Sequence, residues 1–398
     1  MDLLSLSEHL ANLPTGEITL EPALCARSRD RFSSCNLCAD TCPTDAISID
    51  PLPNLNVSAC VACGACLHVC PLGAFSGEDG VRDLFQCFSR MEAPDALELL
   101  CPLNSHPAVG PAPDRPAIRS THCLAALGSS AYLGLAALGA QSVSVRLEDC
   151  PSCPLSAAQT TIAASLDEAA SIAKGWGLSP LVLNRSSEFA EEWTTRPFYE
   201  AKNPPLSRRD LFRMAATEGT RVAATLLSTP GPRDPRVKGL PIERSRLINA
   251  CSHLQAHGNL EPADAQSDLI SSASFLVDTT CDGCQACVRA CPCGALDTEA
   301  VQTEDGAQFH LIFLASACTA CGICADFCFP KALHLEGKPS WAELAGSEPK
   351  TLFEAPLHTC TRCGATFAGE APDGLCPICK AREQNPFAFL QPPSMQAS

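Results

Sequence analysis

The chain has 398 residues, enough for two to four domains, and carries a formal net charge of −16. That charge excludes the basic surface a nucleic-acid binder needs and favours partners with basic faces. Only 5% of the residues are aromatic, while 27 are cysteine and 33 are proline, so small modules held by something other than a large apolar core are expected.

So many cysteines imply either a disulfide framework in an oxidising compartment or metal ligation in a reducing one. The N-terminal stretch "MDLLSLSEHLANLPTGEITLEP" has no basic n-region and no cleavable apolar core, so no secretory signal is expected there. No run reaches about 18 apolar residues, so no membrane span is expected. A cytoplasmic protein that uses its thiols for metal is the expectation.

The first cysteines in chain order are Cys25, Cys35, Cys38 and Cys42 before Pro43, then Cys60, Cys63, Cys66 and Cys70 before Pro71. The second set follows C-x2-C-x2-C-x3-C-P, and the first is an irregular copy with Cys25 as its upstream member. A tight loop of this spacing aims three thiolates at three corners of a compact iron–sulfur cluster. The fourth cysteine is expected to open a helix at its proline. "AISIDPLPNLNVSA", between the two sets, reads as a hairpin. Zinc knuckles are the competing reading, but a closed zinc site gives no reason for the trailing x3-C-P.

The middle segment, residues 83–195, changes character. "ALELLC", "AIRSTHC" and "SVSVRLEDC" are short apolar or β-branched runs that each end on cysteine, "PLVLN" is a further strand, and helical stretches alternate with them. This alternation predicts a small parallel α/β layer. Ligands of open parallel sheets gather outside the carboxyl ends of the strands, which puts Cys101, Cys123, Cys150 and Cys153 on one rim. A fifth Fe–S cluster is the metal reading of that rim, and buried core thiols are the plain alternative. Cys87 competes with Cys101 as the fourth ligand. "THCLAALG", "LGLAALGA" and "LEDCPSC" resemble the small iron–sulfur subunit family of methanogen-type hydrogenases and heterodisulfide reductases, which implies one cluster passing electrons between larger subunits.

Residues 196–265 read as a helical linker. "SRRDLFR" within it resembles a twin-arginine export signal, but it begins at Ser207, far from the N-terminus, and the apolar stretch behind it is broken by Glu218 and Arg221. A helix capped by Ser207 with Asp210 is the expected structure.

The C-x2-C-x2-C-x3-C pattern returns at Cys281, Cys284, Cys287 and Cys291 before Pro292, and at Cys318, Cys321, Cys324 and Cys328. "ALDTEAVQTEDGAQFHLIFLASA" is the hairpin between them. Phe329 stands between Cys328 and Pro330, which reads as one extra residue. The motif–hairpin–motif repeat thus occupies residues 25–75 and 281–333. Both copies resemble the bacterial-type dicluster ferredoxin family. The resemblance implies four [4Fe–4S] clusters with crossed ligation. Cys25, Cys35, Cys38 and Cys70 would hold one, and Cys60, Cys63, Cys66 and Cys42 the next. Cys281, Cys284, Cys287 and Cys328 would hold a third, and Cys318, Cys321, Cys324 and Cys291 a fourth. Without Cys25, the first of these would be a three-iron cluster or would hold a labile fourth site.

"CTRCGATFAGEAPDGLCPICK" sets Cys360 and Cys363 opposite Cys376 and Cys379, the arrangement of a zinc ribbon with one structural zinc. A rubredoxin-type iron would use the same ligands. Cys87, Cys251 and Cys293 are left over, and Cys293 is expected to pack beside its cluster.

The expected fold class is therefore α+β and multidomain: two ferredoxin-like dicluster units at 1–82 and 266–345, a small parallel α/β segment at 83–195, and a zinc ribbon at 350–385. No G-x-G-x-x-G follows a strand, and no P-loop or H-E-x-x-H occurs. Electron carriers without an evident substrate pocket imply a relay between donor and acceptor proteins. A formate dehydrogenase, a hydrogenase or a heterodisulfide-reductase-like enzyme are the partner classes suggested by resemblance. A thiol or disulfide reductase acting at the middle rim and a cluster-maturation factor are the alternatives.

Overall fold

The computed structural model describes residues 17–91, 94–178, 182–186, 193–203, 236–258, 267, 271–304 and 306–384. The N-terminal stretch before residue 17 and the SRRDLFR segment lie outside the described residues. The described chain divides into two units. The first runs to Ser272 and takes in Thr319–Cys321 and Pro339–Ala345; the second holds Ala273–Cys318, Gly322–Lys338 and the chain from Gly346 onward.

The first unit begins with two short antiparallel ladders. Thr19–Leu20 pairs with Phe75–Ser76, and Ile47–Ser48 pairs with Asn54–Leu55. Between them lie two single-turn helices, α1 (Leu37–Thr41) and α2 (Ala65–Val69). Helices this short do not persist alone. Here they are held by a core of Ile18, Leu24, Ile47, Leu67 and Phe75 that includes Cys38 and Cys66.

A five-stranded sheet follows, built from β1 (Ala96–Leu100), β2 (Ala117–Arg119), β3 (Ser142–Arg146), β4 (Val182–Ser186) and β5 (Phe198–Glu200). Its order is β5-β2-β1-β3-β4, and every pair is parallel. Leu97, Leu99, Leu100, Ile118, Val143 and Val145 are fully buried, as expected for strands covered on both faces. The covering helices are α3 (Val81–Ser89), α4 (Ser129–Ala137), α5 (Ala158–Gly175) and α6 (Ile242–Gly258). Helix α4 is buried along most of its length and packs against α5 and α6. Ser130 donates to the Glu243 carboxylate from its backbone N–H, at 2.8 Å, and from its hydroxyl, at 2.6 Å.

The parallel layer reaches past residue 195. β5 lies within the span read from sequence as linker, and so does α6. The buried Glu98 carboxylate explains the extension: it is ion-paired to Arg196, at the entrance of β5, and lies 3.6 Å from Arg146 at the end of β3. A buried charge of this kind is tolerated only when paired.

The second unit opens with the antiparallel ladder Phe275–Val277 with Leu333–Leu335. Two more single-turn helices, α7 (Ala286–Ala290) and α8 (Ile323–Asp326), follow the pattern of the first repeat. The hairpin strands β6 (Leu296–Thr303) and β7 (Gly306–Phe313) are long, and β8 (Lys350–Thr359) adds to the free edge of β7. β9 (Thr366–Ala368) pairs with β8 in turn. The segments 266–345 and 350–385, read as separate modules, thus share one four-stranded sheet of order β6-β7-β8-β9. An eight-residue strand left open at its edge pairs readily with a passing extended chain. No helix among the described residues is long and apolar enough to cross a membrane.

Candidate metal centres

Four sets of four cysteines each line a cavity. Cys25, Cys35, Cys38 and Cys70 surround one of about 20 Å³, closed by Leu20, Ile49 and Phe75. Cys42, Cys60, Cys63 and Cys66 surround a second of about 20 Å³ against Ile18, Ile47 and Leu55. Cys281, Cys284, Cys287 and Cys328 surround a third of the same size, against Phe309, Leu311 and Leu333. Cys101, Cys123, Cys150 and Cys153 line a cavity of about 120 Å³ with Leu103, Leu155 and Ile162. Arg27, two residues after Cys25, donates from Nε to the Cys35 carbonyl at 3.0 Å and ties the two cysteine segments together.

The remaining motif residues repeat the backbone of the second set. Ala62 and Gly64 have φ +49° and +81°; Ala320 and Gly322 have +52° and +79°. Cys291, Cys318 and Cys324 are buried in the second unit. Cys321 belongs to the Thr319–Cys321 segment of the first unit and is half-buried.

The fourth cysteine of each motif behaves differently from the sequence expectation. Cys42, Cys70 and Cys291 do not open helices; they cap the C-terminal ends of α1, α2 and α7 in extended conformation. The proline then carries the chain into a turn, and three residues after the cysteine φ is positive, at Asp45, Gly73 and Gly294. Lys331 holds that place after Cys328, so there is no extra residue: Phe329 stands where the other motifs have proline. Four residues on, the N–H of Ala46, Ala74 and Ala295 each donates to Sγ of its cysteine at 3.3 Å. Such bonds stabilise negative charge on the sulfur and tune a cluster bound there.

The thiols are built for a cation. Burial pushes Cys38 up to about 12, helped by Cys70, Cys25 and Cys35, and pushes Cys63 up to about 11. Burial likewise raises Cys101 to about 11 and Cys150 to about 12, and carries Cys123 higher still. Thiols raised in this way become thiolates at neutral pH only beside positive charge.

The sulfur spacing separates two kinds of site. Among the described residues, only Cys360, Cys363, Cys376 and Cys379 form a metal-sized group, with sulfurs all within 4.8 Å of one another. Cys363 Sγ and Cys376 Sγ are 3.8 Å apart. A tetrahedron with metal–sulfur bonds of about 2.3 Å has edges of about 3.8 Å, so one ion fits. Backbone N–H groups, that of Cys376 foremost, hold the Cys360 thiol below its usual pKa. The other sets line cavities, the arrangement that suits a multi-atom group with its own bridging sulfides.

The middle cavity sits where the parallel sheet places it. Cys101 directly follows β1, Cys123 follows β2, and Cys150 and Cys153 follow β3, three neighbouring strands. Two of these loops are stitched together. Asn104 Nδ2 donates to Glu148 at 2.9 Å and to Asp149 at 3.2 Å, and the Ser105 N–H donates to Asp149 Oδ2 at 3.0 Å. Arg146, stacked 4.0 Å over the Trp193 ring, is ion-paired to Glu148 from below. Asn104 and Asp149 carry no motif of their own in the sequence; they stand three residues after Cys101 and one before Cys150. Cys87 lies elsewhere, fully buried in α3, with its S–H directed at the Glu200 carbonyl 3.9 Å away. Cys251 is buried in α6 and Cys293 is buried beside the third motif.

The second and middle sets touch through their supports. Gly64, at the start of α2, faces Ala126 so closely that a Cβ there would lie 2.5 Å from Ala126 Cβ. Its positive φ and this approach both require glycine. Ala126 is three residues after Cys123.

A search of curated proteins finds no match for the chain. Residues 33–74 and residues 280–332 each match the family model of the 4Fe-4S dicluster domain. Both cysteine repeats are thus similar to dicluster domains, and that similarity points to iron–sulfur electron transfer.

Proposed function

We propose that the chain is a multi-cluster electron-transfer protein or oxidoreductase subunit that relays single electrons between redox partners. Two [4Fe–4S] clusters sit in each dicluster repeat, ligated as the crossed sets require, and a fifth is held by Cys101, Cys123, Cys150 and Cys153. One structural zinc occupies Cys360, Cys363, Cys376 and Cys379. The clusters supply one-electron chemistry; the chain's residues hold them, bury them and set their potentials through N–H···S bonds.

One observation carries this reading: the loop of the second set packs on the turn that follows Cys123. The His68 ring lies 2.8 Å from the Ala125 carbonyl, and Gly64 meets Ala126. First, second and middle sites then follow one another within a single unit, as a conducting series must. The acidic surface favours docking to basic partner faces. A formate dehydrogenase, a hydrogenase or a heterodisulfide-reductase-like enzyme fits as partner class, in the cytoplasm.

Stepwise reduction of anaerobic protein, followed by EPR, tests the relay. Magnetic coupling between the middle cluster and the second cluster supports it. An isolated, uncoupled middle signal, or none, contradicts it.

A second reading has one observation in its favour. The middle cavity is about 120 Å³, against about 20 Å³ for the dicluster cavities. Such room suits a small thiol or disulfide beside the cluster. Reoxidation of the reduced protein by a low-molecular-weight disulfide is its test; reoxidation that is independent of the disulfide rules it out.

A further inference from the structure

The C-terminal ribbon has no chemistry of its own in the relay, yet its position in the second unit is not incidental. Strand β9 has two working faces. Phe367 is buried with Cys360, Cys376 and Cys379 in one small core, while its neighbour Ala368 points the other way, as alternation in a strand requires. Ala368 meets the loop of the third cysteine set. Its N–H donates to the Asp282 carbonyl at 2.9 Å, and a Cβ on Gly283 would lie 2.8 Å from Ala368 Cβ. Gly283 has φ +67°, so both the turn and the approach of the ribbon exclude a side chain there.

The loop so gripped is the one most in need of support. Asp282 and Gly283 sit between Cys281 and Cys284, two of the thiols that line the third cavity, and Cys284 is exposed whereas Cys287 is half-buried and Cys328 buried. The Cys284 N–H donates to Asp282 Oδ1 at 3.1 Å. Asp282 therefore links the ribbon, through its carbonyl, to the exposed cysteine, through its carboxylate.

We propose that the four-thiolate ribbon is a metal-dependent clamp on the third cluster. The ion at Cys360, Cys363, Cys376 and Cys379 fixes β9, and β9 fixes the Asp282–Cys284 turn that carries one cluster ligand to the surface. Without the ion, β9 keeps only its short pairing with β8 and a core of a few side chains, a weak hold on a three-residue strand. Ala368 then leaves Asp282, and the exposed cluster edge opens to solvent. The inference rests on the assignment of a cluster to Cys281, Cys284, Cys287 and Cys328.

The test is iron release to 2,2′-bipyridyl from the full-length, anaerobically purified protein, read site by site through EPR. Cys360→Ser removes the ribbon ion, and Ala368→Pro removes the donor while leaving all four ribbon thiols. Both variants are expected to release the third cluster's iron about tenfold faster, with the clusters of the first unit unchanged. Ala368→Pro should do so while still holding one ribbon ion. Unchanged release in either variant, or equal acceleration at every cluster, overturns the clamp. Cys287→Ser separates the two claims: if it costs no iron, the cluster assignment fails, whereas lost iron with unaltered release in Ala368→Pro refutes the clamp alone.

Discussion

His68 Nε2 lies 2.8 Å from the carbonyl oxygen of Ala125, so the imidazole donates and ties helix α2 of the first repeat to the turn behind Cys123. Removing it in His68→Ala should cost about 1 kcal/mol. It should also weaken the magnetic coupling between the second and middle clusters. Thermal denaturation and EPR of the reduced protein read the two effects; His68→Gln, which keeps a donor, should recover most of both.

The middle site is tested through its thiols. Cys123→Ser and Cys150→Ser should each lower the iron content by about four atoms per chain while leaving the dicluster signals in place. Iron content equal to that of the unaltered protein would make both residues ordinary core thiols.

Asp149 and Asn104 hold the Cys101 and Cys150 loops against each other. Asp149 also lines the middle cavity, so its replacement acts on the cysteine loops and on the lining together. Asp149→Ala should raise iron loss from the middle site about tenfold or more, with Asp149→Asn intermediate. Loss spread evenly over all clusters would mean general destabilisation instead.

Arg27 ties the Cys25 and Cys35 segments together across the nine residues between them. In Cys25→Ser, the oxidised protein should show a three-iron EPR signal, and Arg27→Ala should show the same signal on exposure to a mild oxidant. A four-iron cluster that persists in Cys25→Ser would remove Cys25 from the ligand set.

Cys87 gives a pH signature free of any metal. Burial pushes its thiol from 9.0 up to about 12, so the folded chain holds this proton more tightly than the unfolded one. The stability it contributes is complete below pH 9 and is lost as pH rises towards 12, at a slope of at most about 1.4 kcal/mol per pH unit. Urea unfolding between pH 8 and 11 should therefore fall less steeply in Cys87→Ala. Equal slopes would show that Cys87 ionises freely.

Much of this architecture was legible in the sequence, and the gaps have physical causes. The C-x2-C-x2-C-x3-C spacing marked both repeats because a cluster loop leaves little latitude in how its thiols are placed. Runs ending on Cys101, Cys123 and Cys150, with "PLVLN" after them, marked the four strands β1 to β4 through their apolar content. β5 was missed because three residues, "FYE", are too few to show a strand period; it is recruited through the Glu98–Arg196 ion pair and the register Phe198↔Ala117. The reading of Cys42, Cys70 and Cys291 as helix starts took proline as an N-terminal signal, whereas the short helices lie before these cysteines. Phe329 reads as an insertion in the sequence, whereas the positive φ at Lys331 matches Asp45, Gly73 and Gly294 and puts Phe329 in the proline position. The continuity of β8 with β7 depends on an open strand edge, which no local pattern announces.

The most direct measurement of the central claim is the stoichiometry of iron, acid-labile sulfide and zinc in anaerobically purified protein. Five clusters predict about twenty irons and about twenty sulfides per chain, with one further tetrahedral ion in the ribbon. Fewer than about twelve irons, or several zincs in their place, would contradict a cluster relay and make the cysteine loops zinc knuckles.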